Sequence, residues 1–428
     1  MNRTLYSLLL HLALPFILLR LWRRGRQTPA YRQRIAERLA LRLPAPPAGG
    51  IWLHAVSLGE SIAAAPLIRA LLSRYPQQVV TVTNMTPTGS ARIASLFAAE
   101  IAAGRLQQGY LPYDLPWAAA RFLDRVQPRL AIIMETELWP NFVAACRARA
   151  IAVVLANARL SEKSARGYAR FARLTRPMLA SLTLIAVQTE AEAERFRRLG
   201  ARPSAVQVTG SIKFDLQVDA ELLPKARALR RTWQAATRPV WIAASTHAGE
   251  DEIILAAHRQ LLATQPAALL ILVPRHPERF AAVHDLCLRE GFSCVRRSLN
   301  EAPDAATQVL LGDTLGELLF LYALADLAFV GGSLVANGGH NLLEPAALGR
   351  PVLSGPHWFN FLEIAAQLEA AGALCSVHDA DSLAATLQDL LAKPERRAAM
   401  GVAALGVLQA NQGALARLLA LLPGPERA

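Results

Sequence analysis

Short apolar runs alternate with amphipathic stretches along most of this chain, and the runs are continuously apolar instead of switching face at every residue. A strand buried on both faces reads that way, and such strands separated by helical stretches point to parallel βαβ units. Ile51–Val56, Val79–Thr83, Leu130–Met134, Ala152–Ala156, Leu184–Val187 and Val206–Val208 make a first series, and Val240–Ala244, Leu269–Val273, Val309–Leu311, Leu327–Val330 and Pro351–Leu353 a second. Between them lie helical patterns such as Ala63–Arg74 and Ala191–Leu199, the latter closed by Gly200 at a C-cap position. The pattern predicts an α/β chain of two Rossmann-like parallel-sheet domains facing a cleft, with ligands held in the loops at the carboxyl ends of the strands.

The boundaries follow from composition. The stretch Leu43–Gly50 (LPAPPAGG) is a linker, residues 50–213 are the first domain, and residues 214–238, polar and helix-prone from Val218, are a connector. Residues 239–428 are the second domain, finished by Ala- and Leu-rich helices over 383–391 and 395–422.

One segment breaks the alternation. Leu5–Trp22 is nearly all apolar, close to the roughly 20 residues that a helix needs to cross a bilayer, although His11, Pro15 and Arg20 interrupt it. No small-residue cleavage site follows, and the positive charge lies mostly after the apolar run, so a retained anchor or a deeply inserted interfacial helix is expected in place of a cleaved leader. Residues 1–42 hold nine arginines against the single acid Glu37, which puts +8 of the chain's net +13 beside the anchor. Such a segment stays on the cytoplasmic side and binds an anionic membrane surface, which leaves the catalytic body in the cytosol.

That charge distribution, with an aromatic fraction of only 6% and no aromatic-rich basic stripe, excludes nucleic acid as the partner. A chain of 428 residues that is 53% hydrophobic has ample core for two domains. Cys146, Cys287, Cys294 and Cys375 form no CxxC pair and no cluster with histidine, so neither a zinc site nor a disulfide framework is expected.

Candidate chemistry sits where strands end. Ser57-Leu58-Gly59-Glu60 follows the first strand and opens a helix, where the dipole favours an ionised carboxylate, as a general base requires; an ordinary capping acid fits the same place. Glu135 and Glu137 in ETELWPN follow the strand LAIIM and suit substrate positioning or stabilisation of positive charge, or again an N-cap. Lys213 in GSIKFD suits an anionic leaving group or a solvated hinge. In the second domain Ser245-Thr246-His247 and Pro274-Arg275-His276-Pro277 read as phosphate-facing loops, with Arg275 offering a forked set of donors. The runs Val330-Gly331-Gly332-Ser333 and Asn337–Pro345 combine glycines for close backbone approach, a helix start for a phosphate and Glu344 for ribose hydroxyls, the pattern of a nucleotide-sugar site. There is no GxxxxGK[ST] loop and no GxGxxG after the first strand, which argues against a P-loop NTPase or a simple NAD enzyme. The triplet Asp379-Ala380-Asp381 is better placed to cap a helix than to bind metal, and no metal is required.

At these loops the chain resembles the Kdo transferases of lipopolysaccharide synthesis, through LHAVSLGE, TVTNMTPTGS, METELWPN, NARLSEKS, VTGSIKFD, ASTHAGE, LVPRHPERF, GDTLGELLFLY and GGHNLLEPAALGRPVLSGPHWFNF. The resemblance implies a GT-B glycosyltransferase anchored in the inner membrane that moves Kdo from CMP-Kdo to a lipid A precursor, with no bound cofactor. It implies Glu60 as the proton acceptor, Glu135 and Lys213 as transition-state stabilisers, and CMP contacts from Pro274, Arg275, Leu315, Gly316, Glu317, Asn341, Leu342, Leu343 and Glu344. A nucleotide-sugar 2-epimerase or a lipid A disaccharide synthase of the same architecture is the alternative.

Overall fold

The computed structural model describes residues 1–233, 238–359 and 361–424. The chain divides into two compact units, Met1–Lys213 with the returning segment from Gln412, and Phe214–Asn411.

The first unit is built on seven strands: β1 (Ile51–His54), β2 (Val80–Asn84), β3 (Leu106–Tyr110), β4 (Leu130–Met134), β5 (Ala152–Ala158), β6 (Leu184–Val187) and β7 (Val206–Val208). All pairings are parallel, in the order β3-β2-β1-β4-β5-β6-β7. Alternate residues feed opposite layers. Trp52, Ile133 and Leu155 join Phe122 and Phe142 on one face, whereas Ile51, Leu53 and Ile132 join Leu67, Ile68 and Phe97 on the other. Both faces are therefore sealed by helices, which is why the central strands carry no alternation. The order reverses between β1 and β4, so the loops after these two strands diverge and leave room for a ligand at the switch point.

The second unit repeats the plan with β8 (Val240–Thr246), β9 (Leu269–Pro274), β10 (Cys294–Arg296), β11 (Val309–Leu311), β12 (Leu327–Val330), β13 (Val352–Ser354) and β14 (Leu374–Ser376). These are again all parallel, in the order β10-β11-β9-β8-β12-β13-β14, with the switch point between β8 and β12.

Three boundaries differ from the expectation. Residues 383–391 lie in the second unit as expected, but helix Ala414–Leu421 returns to the first: Ala414, Leu418 and Leu422 fill the core beneath β1 and β4, and Arg417 Nε donates to Thr209 O at 2.9 Å. Residues 222–232 are a helix of the second unit's own core, where Ala226 is buried and Arg230 pairs with Asp326 at 2.7 Å. The remainder of the expected connector, 234–237, lies outside the described residues.

The third difference is at the amino end. Arg3–Gln27 is one helix, of which Arg3–Arg26 is long and apolar enough to cross a membrane, with mean hydropathy 1.7. Leu8, Leu12 and Phe16 are exposed along one side, while Ser7 Oγ donates to Asn141 Oδ1 at 2.9 Å and Leu10 and Leu14 pack beside Leu115 and Ala118. The basic stretch after it is not a loose juxtamembrane tail. Arg38 is buried, donates to Met85 O at 3.0 Å and stacks 3.9 Å above the Tyr110 ring. Arg34 forks onto Glu37, whose Oε2 accepts from Tyr110 N at 2.8 Å, so this stretch covers the end of β3.

Candidate active site

In the first unit the loop after β1 is a tightly capped helix start. Ser57 Oγ accepts from the Glu60 amide at 3.4 Å and donates to Glu60 Oε1 at 3.1 Å, and Glu60 Oε2 accepts from the Val56 amide at 2.9 Å. The neighbouring strand holds this loop in place: Val56 O accepts from the Met85 amide at 3.0 Å, and buried Asn84 donates to Ala55 O and Ser61 Oγ at 2.6 and 3.0 Å. Thus the TVTNM run shapes the turn that carries Glu60. The expectation that the helix start keeps Glu60 fully ionised needs correction. Burial pushes its carboxyl up to about 7, with the charges of Glu135 and Glu137 adding to it and the Val56 amide and Ser57 hydroxyl opposing. Desolvation outweighs the dipole, and the group is poised to give or take a proton near neutrality.

Across the switch point, Glu135 is nearly buried and adopts φ 55°, a left-handed conformation that costs a non-glycine residue about 1–3 kcal/mol. Its Oε1 lies 3.4 Å from Lys213 Nζ and its Oε2 3.0 Å from Arg159 Nε. The loops meet by design of the backbone: Asn157, also left-handed at φ 52°, accepts from the Ile212 amide at 3.1 Å and so positions the turn carrying Lys213. Glu137 accepts from Trp139 Nε1 at 3.3 Å, and the Trp139 ring stands edge-on to His54 at 5.6 Å, joining the β4 loop to the end of β1. Sequence reasoning missed Arg159; it sits within NARLSEKS, but nothing in local spacing pairs it with Glu135.

In the second unit the Gly331-Gly332 turn follows β12 and is clamped from below. Glu250, wholly buried, accepts from His247 N and Gly332 N through Oε2 at 2.9 and 2.7 Å, and from Ser333 N and Leu334 N through Oε1 at 3.0 and 2.9 Å. These amides are bound to a carboxylate, and the amides expected to meet a phosphate are those of the helix start that follows. Glu250 was not singled out from ASTHAGE because three of its four partners lie 82 to 84 residues away.

Arg275 follows β9 with its amide on Thr246 O at 3.0 Å, and Arg279 in the same loop is pinned to Asp251 and to Thr246 O. Beyond β12, just before the short helix Leu343–Ala347, Asn341 Oδ1 accepts from the Leu343 amide at 3.1 Å and Asn341 Nδ2 donates to Glu344 Oε1 at 3.2 Å. Burial raises the Glu344 carboxyl, opposed by Asn341 and by the Arg275 charge, which places Arg275 and Glu344 within electrostatic reach of each other. Leu342 and Leu343 are buried beneath them. Leu315, Gly316 and Glu317 form a separate corner after β11: Gly316 has φ +87°, Leu315 is exposed, and Glu317 is held by Arg297 at 2.9 Å and Thr314 at 2.6 Å. Those two contacts outweigh burial and keep the Glu317 carboxyl below its usual range. Pro274, buried, ends β9.

A family model described as 3-Deoxy-D-manno-octulosonic-acid transferase (kdotransferase) matches residues 33–216, and one described as Glycosyl transferases group 1 matches residues 292–405. The 3-deoxy-D-manno-octulosonic acid transferase of Haemophilus influenzae is 47% identical over 425 residues, which is 99% of this chain and 98% of that one. The chain belongs to the 3-deoxy-D-manno-octulosonic acid (Kdo) transferase family. A second Kdo transferase, from Bordetella pertussis, is 43% identical to this one, with 98% of each chain covered. The transferase shares its fold with a UDP-GlcNAc 2-epimerase from Neisseria meningitidis, which is 14% identical with a TM-score of 0.55 over 87% of this chain and 99% of that one. The two parallel sheets are thus the GT-B type of arrangement, and the chain is a glycosyltransferase.

Proposed function

We propose that this Kdo transferase takes its sugar from CMP-Kdo and adds it to a lipid A precursor, lipid IVA, with inversion at the anomeric carbon. The observation that carries the mechanism is the Glu60 carboxyl, which lies in the first turn of the helix after the switch-point strand of the first unit and is pushed up to about 7 by burial, with acidic neighbours adding to it. An acceptor hydroxyl oxygen attacks the anomeric carbon and gives its proton to Glu60, while the bond to the phosphate oxygen breaks and CMP departs with the electron pair. No acid is needed for a phosphate leaving group. Lys213, held against Glu135, and Arg275 of the second unit answer the charge that develops, and no bound cofactor takes part.

CMP is assigned to Pro274, Arg275, Leu315 to Glu317 and Asn341 to Glu344, with Glu344 on the ribose. The apolar helix at the amino end anchors the enzyme in the inner membrane with both units on the cytoplasmic face, where the lipid acceptor is reached. The test is turnover with CMP-Kdo and lipid IVA. Wild type should yield a Kdo-extended lipid, and Glu60→Gln should fold and bind CMP while losing about 10² to 10⁴ in turnover. A Glu60→Gln chain that keeps more than about a tenth of wild-type turnover would assign the proton to another group.

A further inference from the structure

Adjacent central strands of the second sheet, β9, β8 and β12, each send a histidine beyond their carboxyl ends: His276, His247 and His340. His247 and His340 share a hydrogen bond, Nε2 to Nε2 at 2.8 Å, with rings 4° from parallel and centroids 5.1 Å apart. His276 stands edge-on to His247 at 5.3 Å. Beneath the pair lies Gly332 at φ +69°, where a Cβ would come within 2.9 Å of His340 Cδ2 and 3.5 Å of His247 Cδ2. The Glu250 clamp fixes that glycine, so the two rings rest on a floor that is held rigidly and left bare for them.

Two imidazoles sharing one proton are both neutral, and each keeps its Nδ1, one as donor and one as acceptor. The shared bond occupies the Nε2 lone pair that a metal ion would need. The charged and titratable groups facing His247 are Glu250, His276, Arg279 and Arg275, and those facing His340 are Arg275, His247 and His276. Burial holds both rings below the usual histidine range, His340 at about 3, with Glu250 opposing at His247 and the Arg275 charge adding to the shift at both. Glu250 is spent on four amides and Arg279 on Asp251, whereas the Arg275 guanidinium has no hydrogen bond or ion pair among the described residues. A half-buried rim that carries the Arg275 guanidinium and spare N–H groups is complementary to an anion, since the carboxylates in electrostatic reach of it are Glu250, spent on amides, and Glu344, which accepts from Asn341.

We propose that His247 and His340, with Arg275, form an oxyanion site at the switch point of the second sheet. It takes either the phosphate or the carboxylate, which share the anomeric carbon of the sugar-acid donor. This rests on reading the second unit as the donor-binding unit. The oxyanion accepts from Arg275 and from the Nδ1–H of the pair, and the pair thereby orients the bond that breaks.

The experiment is calorimetric titration of the full chain with cytidine, CMP and CMP-Kdo, in wild type, His247→Gln and His340→Gln. Both variants should hold cytidine as wild type does and lose at least about tenfold in affinity for an anionic ligand. Loss already with CMP assigns the site to the phosphate; loss only with CMP-Kdo assigns it to the carboxylate. Unchanged affinity for all three ligands overturns the proposal, and so does an equal loss for cytidine, which would make the pair structural. Wild type that takes up no CMP overturns the donor reading beneath it, a separate failure. Independently of any substitution, CMP-Kdo but not cytidine should move the ring ¹⁵N resonances of His247 and His340 in ¹⁵N-histidine-labelled wild type; stationary resonances also overturn the proposal.

Discussion

Lys213 Nζ lies 3.4 Å from Glu135 Oε1, at the far end of the first unit's sequence from the strand that carries the glutamate's loop. The pair is half shielded from water, and its carboxylate is shared with Arg159. Lys213→Met should therefore lower kcat by about 10² with little change in KM, because in the proposed mechanism the ammonium answers charge that exists only in the transition state. Lys213→Arg should recover part of the loss. Steady-state kinetics with saturating CMP-Kdo decides: a rise in KM alone would make Lys213 a ground-state contact.

The pH dependence has a definite sign. Glu60 must be deprotonated to accept a proton, and its carboxyl stands at about 7, so kcat/KM should rise through an acid limb near that pH and level off above it. Glu137 contributes charge that pushes Glu60 up, so Glu137→Gln should move the limb to lower pH. A limb that stays put in Glu137→Gln would separate it from Glu60. Stability runs the other way. A carboxyl raised in the folded state binds more protons there than in the unfolded chain, so its contribution falls as pH rises from about 4.5 towards 7.

Glu250→Gln replaces one acceptor oxygen with an amide that cannot accept, so two of the four backbone amides lose their partner. At about 1–3 kcal/mol for each buried unsatisfied group, the second unit should melt several degrees lower, and CMP affinity should fall because Gly332 is no longer fixed. Scanning calorimetry with and without CMP measures both effects. Wild-type melting in this variant would show that the turn holds itself.

A chain beginning at Pro29 should fold and lose co-sedimentation with anionic vesicles, whereas one beginning at Leu43 should fold poorly. The second truncation removes Arg38 and Glu37, which close the end of β3 and, through Met85, brace the loop that carries Glu60. Circular dichroism and vesicle sedimentation of the two chains distinguish anchor from scaffold. Equal stability of both would reduce residues 29–42 to a linker.

The interior strands were legible nearly to the residue. Leu130–Met134, Leu184–Val187 and Leu327–Val330 coincide with their apolar runs, because burial on both faces leaves no polar position to blur the ends. The outer strands β3, β10 and β14 were not seen. LQQGY, CVR and LCS are only partly buried, so the constraint that produces an apolar run does not act on them. Glu60, Arg275 and Glu344 were singled out because strand-end loops in a parallel sheet concentrate chemistry. Glu250, Arg159 and the histidine pair escaped, since each acquires its meaning from a partner brought close only by folding. The same reason hid the inward direction of Arg34 and Arg38, whose composition reads as a membrane-facing charge.

Helix Ala414–Leu421 completes a core that began some 360 residues earlier at Ile51, so the first unit is discontinuous in sequence while the second is not. As the chain is made, the segment Phe214–Asn411 has all of its own sheet before helix Ala414–Leu421 emerges, whereas the core cluster that holds Leu67 and Ile68 still lacks that helix. The half that carries Glu60 therefore closes its core only after the whole of the other half has been made.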